Sequence, residues 1–384
     1  MDFNLDEDLA TVAELASTVF AGKASTDRVR EIETAPTRVD EELWAALAET
    51  GLLGIALPEE HGGAGMGPWA LALLLEEQGR TVAPVPLWAA GVAALAIAEH
   101  GTEEQRKRLL PGFCEGASRL TVALEEYAGD PAAPACAATP GAGGADGSWT
   151  LTGTKAVVPS VQGAEAVLVS AATPQGPGLF LVPLDGAGVG IELSAVTSHD
   201  LAAELTLDGA VAEPVGTPGG TALADLLRLT RVALAAVQLG VAQGAMHLAA
   251  SYLSEREQFG RPLGTFQAVQ HQLADCWIDV DAMRVTLWQA LSDLGDLAEA
   301  TGPAGGGGDD AVRMLADRSA MVATWWRTQA GLDVVHRVQH LHGGIGVDVD
   351  YPVHRFFLWG KQLSTTLGGS SAALGDLGAL LPTR

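Results

Sequence analysis

Gly368 and Gly369 interrupt the C-terminal stretch KQLSTTLGGSSAALGDLGALL, residues Lys361 to Leu381. A glycine pair there lets the backbone approach another group closely or turn with positive φ. Between Lys361 and Gly375 there is no carboxylate, so this tight loop brings no acid, base or nucleophile of its own. Cys114, Cys136 and Cys276 are odd in number, far apart and in no CxxC arrangement, which argues against a zinc site or a disulfide scaffold. Gln267 and His271, four residues apart, share one face of a helix. Paired Glu-x-x-His motifs on two bundle helices would mark a di-iron site; the sequence has no such pair of helices, and no metal is expected.

The elements that must position these residues come from a 384-residue chain that is 48% apolar, enough for about two or three domains and a large core. The net charge of -25 disfavours nucleic acid as a partner and reads as a device for solubility. The opening MDFNLDEDLATVAEL is acidic and amphipathic, without the basic segment of a signal peptide. The apolar run Val232 to Leu239 is broken at Gln238 and is too short to span a bilayer. A cytoplasmic protein with no membrane partner is expected.

Residues 1–120 show helical spacing of apolar residues, as in VDEELWAALAETGLLG. Asp40 and Thr102 are placed to cap helices, and Glu103 and Glu104 precede Arg106 to Arg108 in the order that suits the helix dipole. LPEEHGGAGMGP is a loop. Over residues 121–220 the helical period fades. Five β-type runs, WTLTGTKAVV, AEAVLVSAAT, GLFLVPLD, GIELSAV and AELTL, lie between turn signals. Gly129 to Gly147 reads as a flexible loop. Residues 221–384 are helical again, with three long helices, a flexible Thr301–Gly308 connection and a short helix after Ser370. The expected fold class is α+β: an N-terminal helical domain, a middle antiparallel β-barrel or sandwich, and a C-terminal four-helix bundle.

That order resembles the acyl-CoA dehydrogenases, over essentially the whole chain. SEREQFGRPLGTFQAVQHQLAD (Ser254 to Asp275) resembles the family's Arg-x-x-Phe-Gly … Phe-Gln-x-x-x-His signature. HLHGGIGVDVDYPVHRFF (His340 to Phe357) resembles its Gly-Gly-x-Gly signature, and LPEEHGGAG its N-terminal loop. The resemblance implies FAD, held between two subunits, and an acyl-CoA thioester as substrate. It implies that Arg256 contacts the FAD pyrophosphate, where a guanidinium fork suits two phosphate oxygens. It also implies that Phe259 and Gln267 touch the cofactor and that Gly343, Gly344 and Gly346 lie near it. The family often has Gln where His340 stands, in polar contact with the neighbouring FAD, and the resemblance implies that His340 takes that cofactor-binding place. Read without that context, Arg256 is a surface charge, Gln267 a solvated helix residue, Phe259 a packing group, the glycines a helix-ending turn, and His340 and His342 structural. Trp325 and Trp326 read as core or interface.

The sequence departs from the family in two places. Where the family has Trp-Ile-Thr beside the flavin, this chain has Val157-Val158-Pro159; proline has no N–H and no hydroxyl, which leaves only Ser160 as a donor. LEEYAGDP (Leu124 to Pro131) likewise matches the family's Thr-Glu-Pro loop poorly. The two positions where the family carries its catalytic glutamate hold Leu367 and Thr230, so no catalytic base is assigned. Three explanations stay open. A carboxylate elsewhere, such as Glu125, Glu126 or Asp200, replaces it; the chain binds acyl-CoA or does other chemistry; or a paralogous partner supplies the base in an α2β2 assembly, as in actinobacterial enzymes that shorten the steroid side chain. VDVDYPVHRFFLWGKQLSTTLGG resembles those subunits more than fatty-acyl enzymes. The family implies an electron-transferring flavoprotein as acceptor.

Overall fold

The computed structural model describes residues 5–141, 148–301 and 310–381. Six helices come first: α1 (Glu7–Lys23), α2 (Thr26–Ile32), α3 (Glu41–Glu49), α4 (Gly67–Thr81), α5 (Leu87–His100) and α6 (Glu103–Cys114). Asp40 caps α3 by accepting from the N–H groups of Glu42 and Leu43. Thr102 and Gln105 form a capping box on α6, so two orphan N–H donors are satisfied reciprocally.

Seven strands follow: β1 (Leu120–Ala123), β2 (Ala137–Pro140), β3 (Trp149–Pro159), β4 (Ala166–Thr173), β5 (Gly176–Pro183), β6 (Val189–Ala195) and β7 (Leu201–Val215). Their ladders run β1-β4-β2-β3-β7-β5, with β6 on β7, and β5 pairs back onto β4, so the ring closes as expected of a barrel. The expected all-antiparallel sheet is instead mixed. β1 runs parallel to β4, from Leu120 beside Ala166 to Ala123 beside Val169; a parallel neighbour needs a long crossover, and residues 124–165 provide it. β2 pairs with β3 antiparallel inside the segment expected to be a flexible loop, of which residues 142–147 lie outside the described residues. Leu151, Val158, Val167, Val169, Phe180, Val182 and Leu205 fill the interior.

The C-terminal helices are α7 (Ala222–Glu255), α8 (Gln267–Thr301), α9 (Asp310–His342), α10 (Val353–Leu363) and α11 (Ser370–Ala379), with a two-residue hairpin, β8 (Glu257–Gln258) and β9 (Arg261–Pro262), between α7 and α8. The expected Thr301–Gly308 connection falls outside the described residues, apart from Thr301 at the end of α8. α8 packs along α9, and α10 and α11 pack on α9. α10 adds a helix to the four expected. α4 and α7 cross at glycines: a Cβ on Gly79 would fall 2.0 Å from the Val237 carbonyl, and one on Gly240 1.9 Å from that of Glu76.

The contacts divide the chain into two compact units. One holds Met1–Arg30, Ala72–Ala83 and Arg231–Arg384; the other holds Glu31–Leu71 and Pro84–Thr230. Among the described residues, α7 alone is long and apolar enough, by length and composition, to cross a membrane, and 78% of that window is buried inside the protein. The three cysteines are free thiols.

Candidate functional site

α7 ends where Arg256 begins the hairpin. Gln258 pairs with Arg261 and Glu257 with Pro262, and the Leu263 N–H donates to the Arg256 carbonyl at 2.8 Å. Phe259 and Gly260 form the turn, both with positive φ, at 56° and 78°, as a two-residue hairpin turn demands. That conformation is uncommon for a residue with a side chain, and it throws the Phe259 ring into solvent, 89% exposed. Its edge meets Phe266 at 6.0 Å. Gln267 opens α8, exposed, and His271 is exposed one turn on.

The far end of α9 reaches the same place. The His342 ring stacks on Tyr252 of α7 at 4.7 Å, with Tyr351 tilted against it at 5.4 Å. His342 is buried, and its Nδ1 lies 2.8 Å from the Val338 carbonyl; Nδ1 therefore carries the proton. Burial lowers its pKa, which keeps the ring neutral. This stack brings the hairpin beside the loop after α9. There Gly343 has φ 62°, and a Cβ on Gly343 or Gly344 would meet nothing within 4 Å. Gly346 differs: a Cβ there would strike the Gln339 carbonyl at 2.7 Å. His340 is exposed. Arg30 holds the loop from behind, donating to the Asp350 carbonyl at 2.8 Å and pairing with its carboxylate at 3.1 Å. The exposed donors Arg256, Gln267 and His340, with open space over Gly343 and Gly344, suit an extended, phosphate-bearing ligand.

The loop after α10 is set by Arg327. This fully buried side chain of α9 donates to the carbonyls of Leu363 and Thr366, the latter at 3.0 Å. Leu367 then takes φ 56° and Gly368 φ 93°. The second candidate position, Thr230, is fully buried, and its hydroxyl donates to the Leu226 carbonyl at 2.7 Å.

In the β region, Glu126 accepts from the buried Lys155 ammonium at 2.6 Å and from the N–H groups of Ala135 and Cys136 at 2.8 and 3.0 Å. These donors hold its carboxyl below the ordinary range against the opposing effect of burial, and they leave it little capacity as a base. Lys155 also reaches Ser170 at 2.9 Å. The β3–β7 register slips between Lys155 and Val158, a bulge that re-aims KAVVPS. Ser160, just past Pro159, has φ 52°. Asp200 accepts from Ser198 at 2.9 Å, and burial pushes its carboxyl up to about 6.

Residues 219–379 match the family model for the acyl-CoA dehydrogenase C-terminal domain, and residues 7–117 match the one for its N-terminal domain. The chain is 36% identical over 382 residues to acyl-CoA dehydrogenase FadE27 of Mycobacterium tuberculosis, with 98% of each covered. Among solved structures it is similar to a variant of the Tcur3481–Tcur3483 steroid acyl-CoA dehydrogenase, at 57% identity, TM-score 0.90 and 98% of each chain. It is also similar to the ChsE4–ChsE5 complex of Mycobacterium tuberculosis, at 34% identity, TM-score 0.89 and 100% of each chain.

Proposed function

The chain belongs to the acyl-CoA dehydrogenase family of FAD-dependent oxidoreductases, and on that premise we propose that it is the subunit without a base in a hetero-oligomeric member. Its partner is a paralogous chain in an α2β2 assembly, and its substrate is the CoA thioester of a steroid side chain. The observation that carries this reading is the pair Leu367 and Thr230. The first has no titratable group, and the second has its hydroxyl committed to its own helix. The likeness to two two-protein assemblies, one described as a steroid enzyme and the other as a complex, supports the partner and the substrate class.

Removing the weakly acidic α-proton of a thioester needs a carboxylate in a dry site, and in this reading the partner supplies it. FAD, when bound, accepts the β-hydride. This chain's part would be to hold and orient: Arg256 would pair with the pyrophosphate, Gln267 and His340 would offer polar contacts, Phe259 would touch the cofactor, and the Gly343 and Gly344 backbone would leave room for it. Leu367 presents an apolar surface that excludes water. The domains fall at residues 1–120, 121–220 and 221–384. An electron-transferring flavoprotein takes the electrons, and the cytoplasm is the compartment.

A second reading, a self-sufficient enzyme with a relocated base, has one observation in its favour: the carboxyl of Asp200 titrates near neutrality, where a general base works best. Acyl-CoA-dependent dye reduction by the isolated chain and by the complex separates the two. Turnover by the isolated chain at the rate of the complex, abolished by Asp200→Asn, would replace the first reading with the second. A chain that binds acyl-CoA and adds nothing to its partner's turnover would be a non-enzymatic subunit.

A further inference from the structure

The hairpin register places a second cation beside Arg256. Side chains alternate across a two-stranded ribbon, and the pairs Gln258–Arg261 and Glu257–Pro262 fix which residues share a face. Arg256, Gln258 and Arg261 lie on one face; Glu257 and Pro262 lie on the other. Arg256 and Arg261 are thus diagonal neighbours. Neither side chain makes an ion pair or a hydrogen bond among the described residues, in a chain of net charge -25 where carboxylates are plentiful. Two unneutralised cations on one face of a two-stranded ribbon repel each other, and an anion bound by both offsets that cost.

Arg261 is also held in place. Its guanidinium lies over the Phe266 ring, 4.1 Å from the centroid, and Phe259 buttresses Phe266 edge-on. Stacking occupies the flat face of a guanidinium and leaves its in-plane N–H donors free. The contact favours one orientation of the side chain, so less rotamer freedom is left to lose on binding.

We propose that Arg261 is a second contact, beside Arg256, for the diphosphate of FAD, and that Phe266 holds it ready. This rests on the reading that FAD lies on this face. A diphosphate is also present in coenzyme A, so the two sources must be separated.

The test is FAD titration of the flavin-stripped, co-expressed complex, followed by flavin fluorescence at several ionic strengths. Arg261→Met keeps a stem over Phe266 and removes the charge. It is expected to weaken FAD about tenfold, the effect of losing one charge-assisted contact, and to flatten the salt dependence. Arg261→Lys recovers part of the affinity, and the KM for acyl-CoA, measured at saturating FAD, stays unchanged. Unchanged FAD affinity in Arg261→Met, with Arg256→Ala weakened, overturns this inference and leaves the underlying reading standing. Unchanged affinity in both overturns that reading too. A raised KM for acyl-CoA with FAD affinity intact gives the arginine to coenzyme A and also overturns the proposal. Should Arg261→Met fail to assemble, Arg261→Gln, which keeps a polar stem, goes through the same titration with the same criteria.

Discussion

Arg256 stands at the end of α7 with no carboxylate of the described chain to neutralise it. Arg256→Ala is expected to lower the flavin content of the assembled protein. One charge-assisted pair is worth about 1.5–3 kcal/mol, or tenfold and more in affinity. Absorbance of the purified complex near the flavin band reads the result, and full occupancy in the variant would remove the assignment. Asp200 makes a different kind of forecast. Its folded carboxyl titrates at about 6, raised from 3.8 by burial, so the folded chain keeps a proton that the unfolded chain has lost. Stability from this group is full at low pH and falls as pH climbs from 3.8 through about 6. Asp200→Asn should therefore gain on the order of 1–2 kcal/mol at pH 7 and flatten the curve of Tm against pH. A variant with an unchanged pH profile would mean that Asp200 is ionised in the fold. At this scale the sequence names Arg256, Phe259 and Gln267 as candidates together, because a short local string carries all three. It did not expose Arg261, whose role depends on a hairpin register, nor the engagement of Glu126, whose partner Lys155 lies 29 positions away.

The long elements were legible because a period of 3.6 repeated over more than thirty residues is hard to mistake. α7, α8 and α9 appear where their apolar spacing places them. β2 was not legible: Ala137 to Pro140 is four residues of small side chains with little strand character, held by pairing with β3. α10 sits in a segment whose Gly, Pro and aromatic content masked a helix of eleven residues. The junction of α7, α9 and α10 was invisible too. There the Gln238 amide is buried with neither its nitrogen nor its oxygen hydrogen-bonded. A Cβ on Gly331 would lie 2.5 Å from its Cγ, and one on Gly360 would lie 3.3 Å from its Nε2. An unmade buried hydrogen bond costs about 1–3 kcal/mol, so Gln238→Met, near in volume and without the amide, should raise stability by about 1 kcal/mol. Gly331→Ala should lower it by about 1–3 kcal/mol through overpacking. Chemical denaturation of both variants checks the pair; a destabilised Gln238→Met would mean that the amide has a partner. Another element-level contact joins the end of α5 to the start of α7. Asp225 bonds Arg228 at 2.7 Å and lies 3.3 Å from His100 Nε2, and these partners depress its carboxyl well below the ordinary range. Its stabilising effect is present above the ordinary carboxylate range and is lost as acid protonates it.

At the scale of the whole molecule, the two positions for a base and the loop that surrounds one of them make a single forecast. The isolated chain should not dehydrogenate any acyl-CoA, and Leu367→Glu should not rescue it. A positioned base contributes about 10²–10⁴ in rate, but only within hydrogen-bond reach of the α-carbon and with water excluded. Arg327 fixes the Leu363 and Thr366 carbonyls from inside the helical unit, so the loop backbone is held in place whatever side chain stands at position 367. A glutamate placed half-buried among Leu363 and its neighbours would have its pKa raised and would stand largely protonated. Removing the glutamate at the corresponding position of the partner, by contrast, should abolish turnover of the complex while leaving its flavin in place. Dye reduction with the isolated chain, the complex and each variant, read beside flavin content, gives the answer. Turnover by the isolated wild-type chain comparable to that of the complex would defeat the division of labour. It would move the search to Asp200, whose carboxyl burial pushes up to about 6, and to Glu125, because Glu126 is already occupied by Lys155 and two backbone donors.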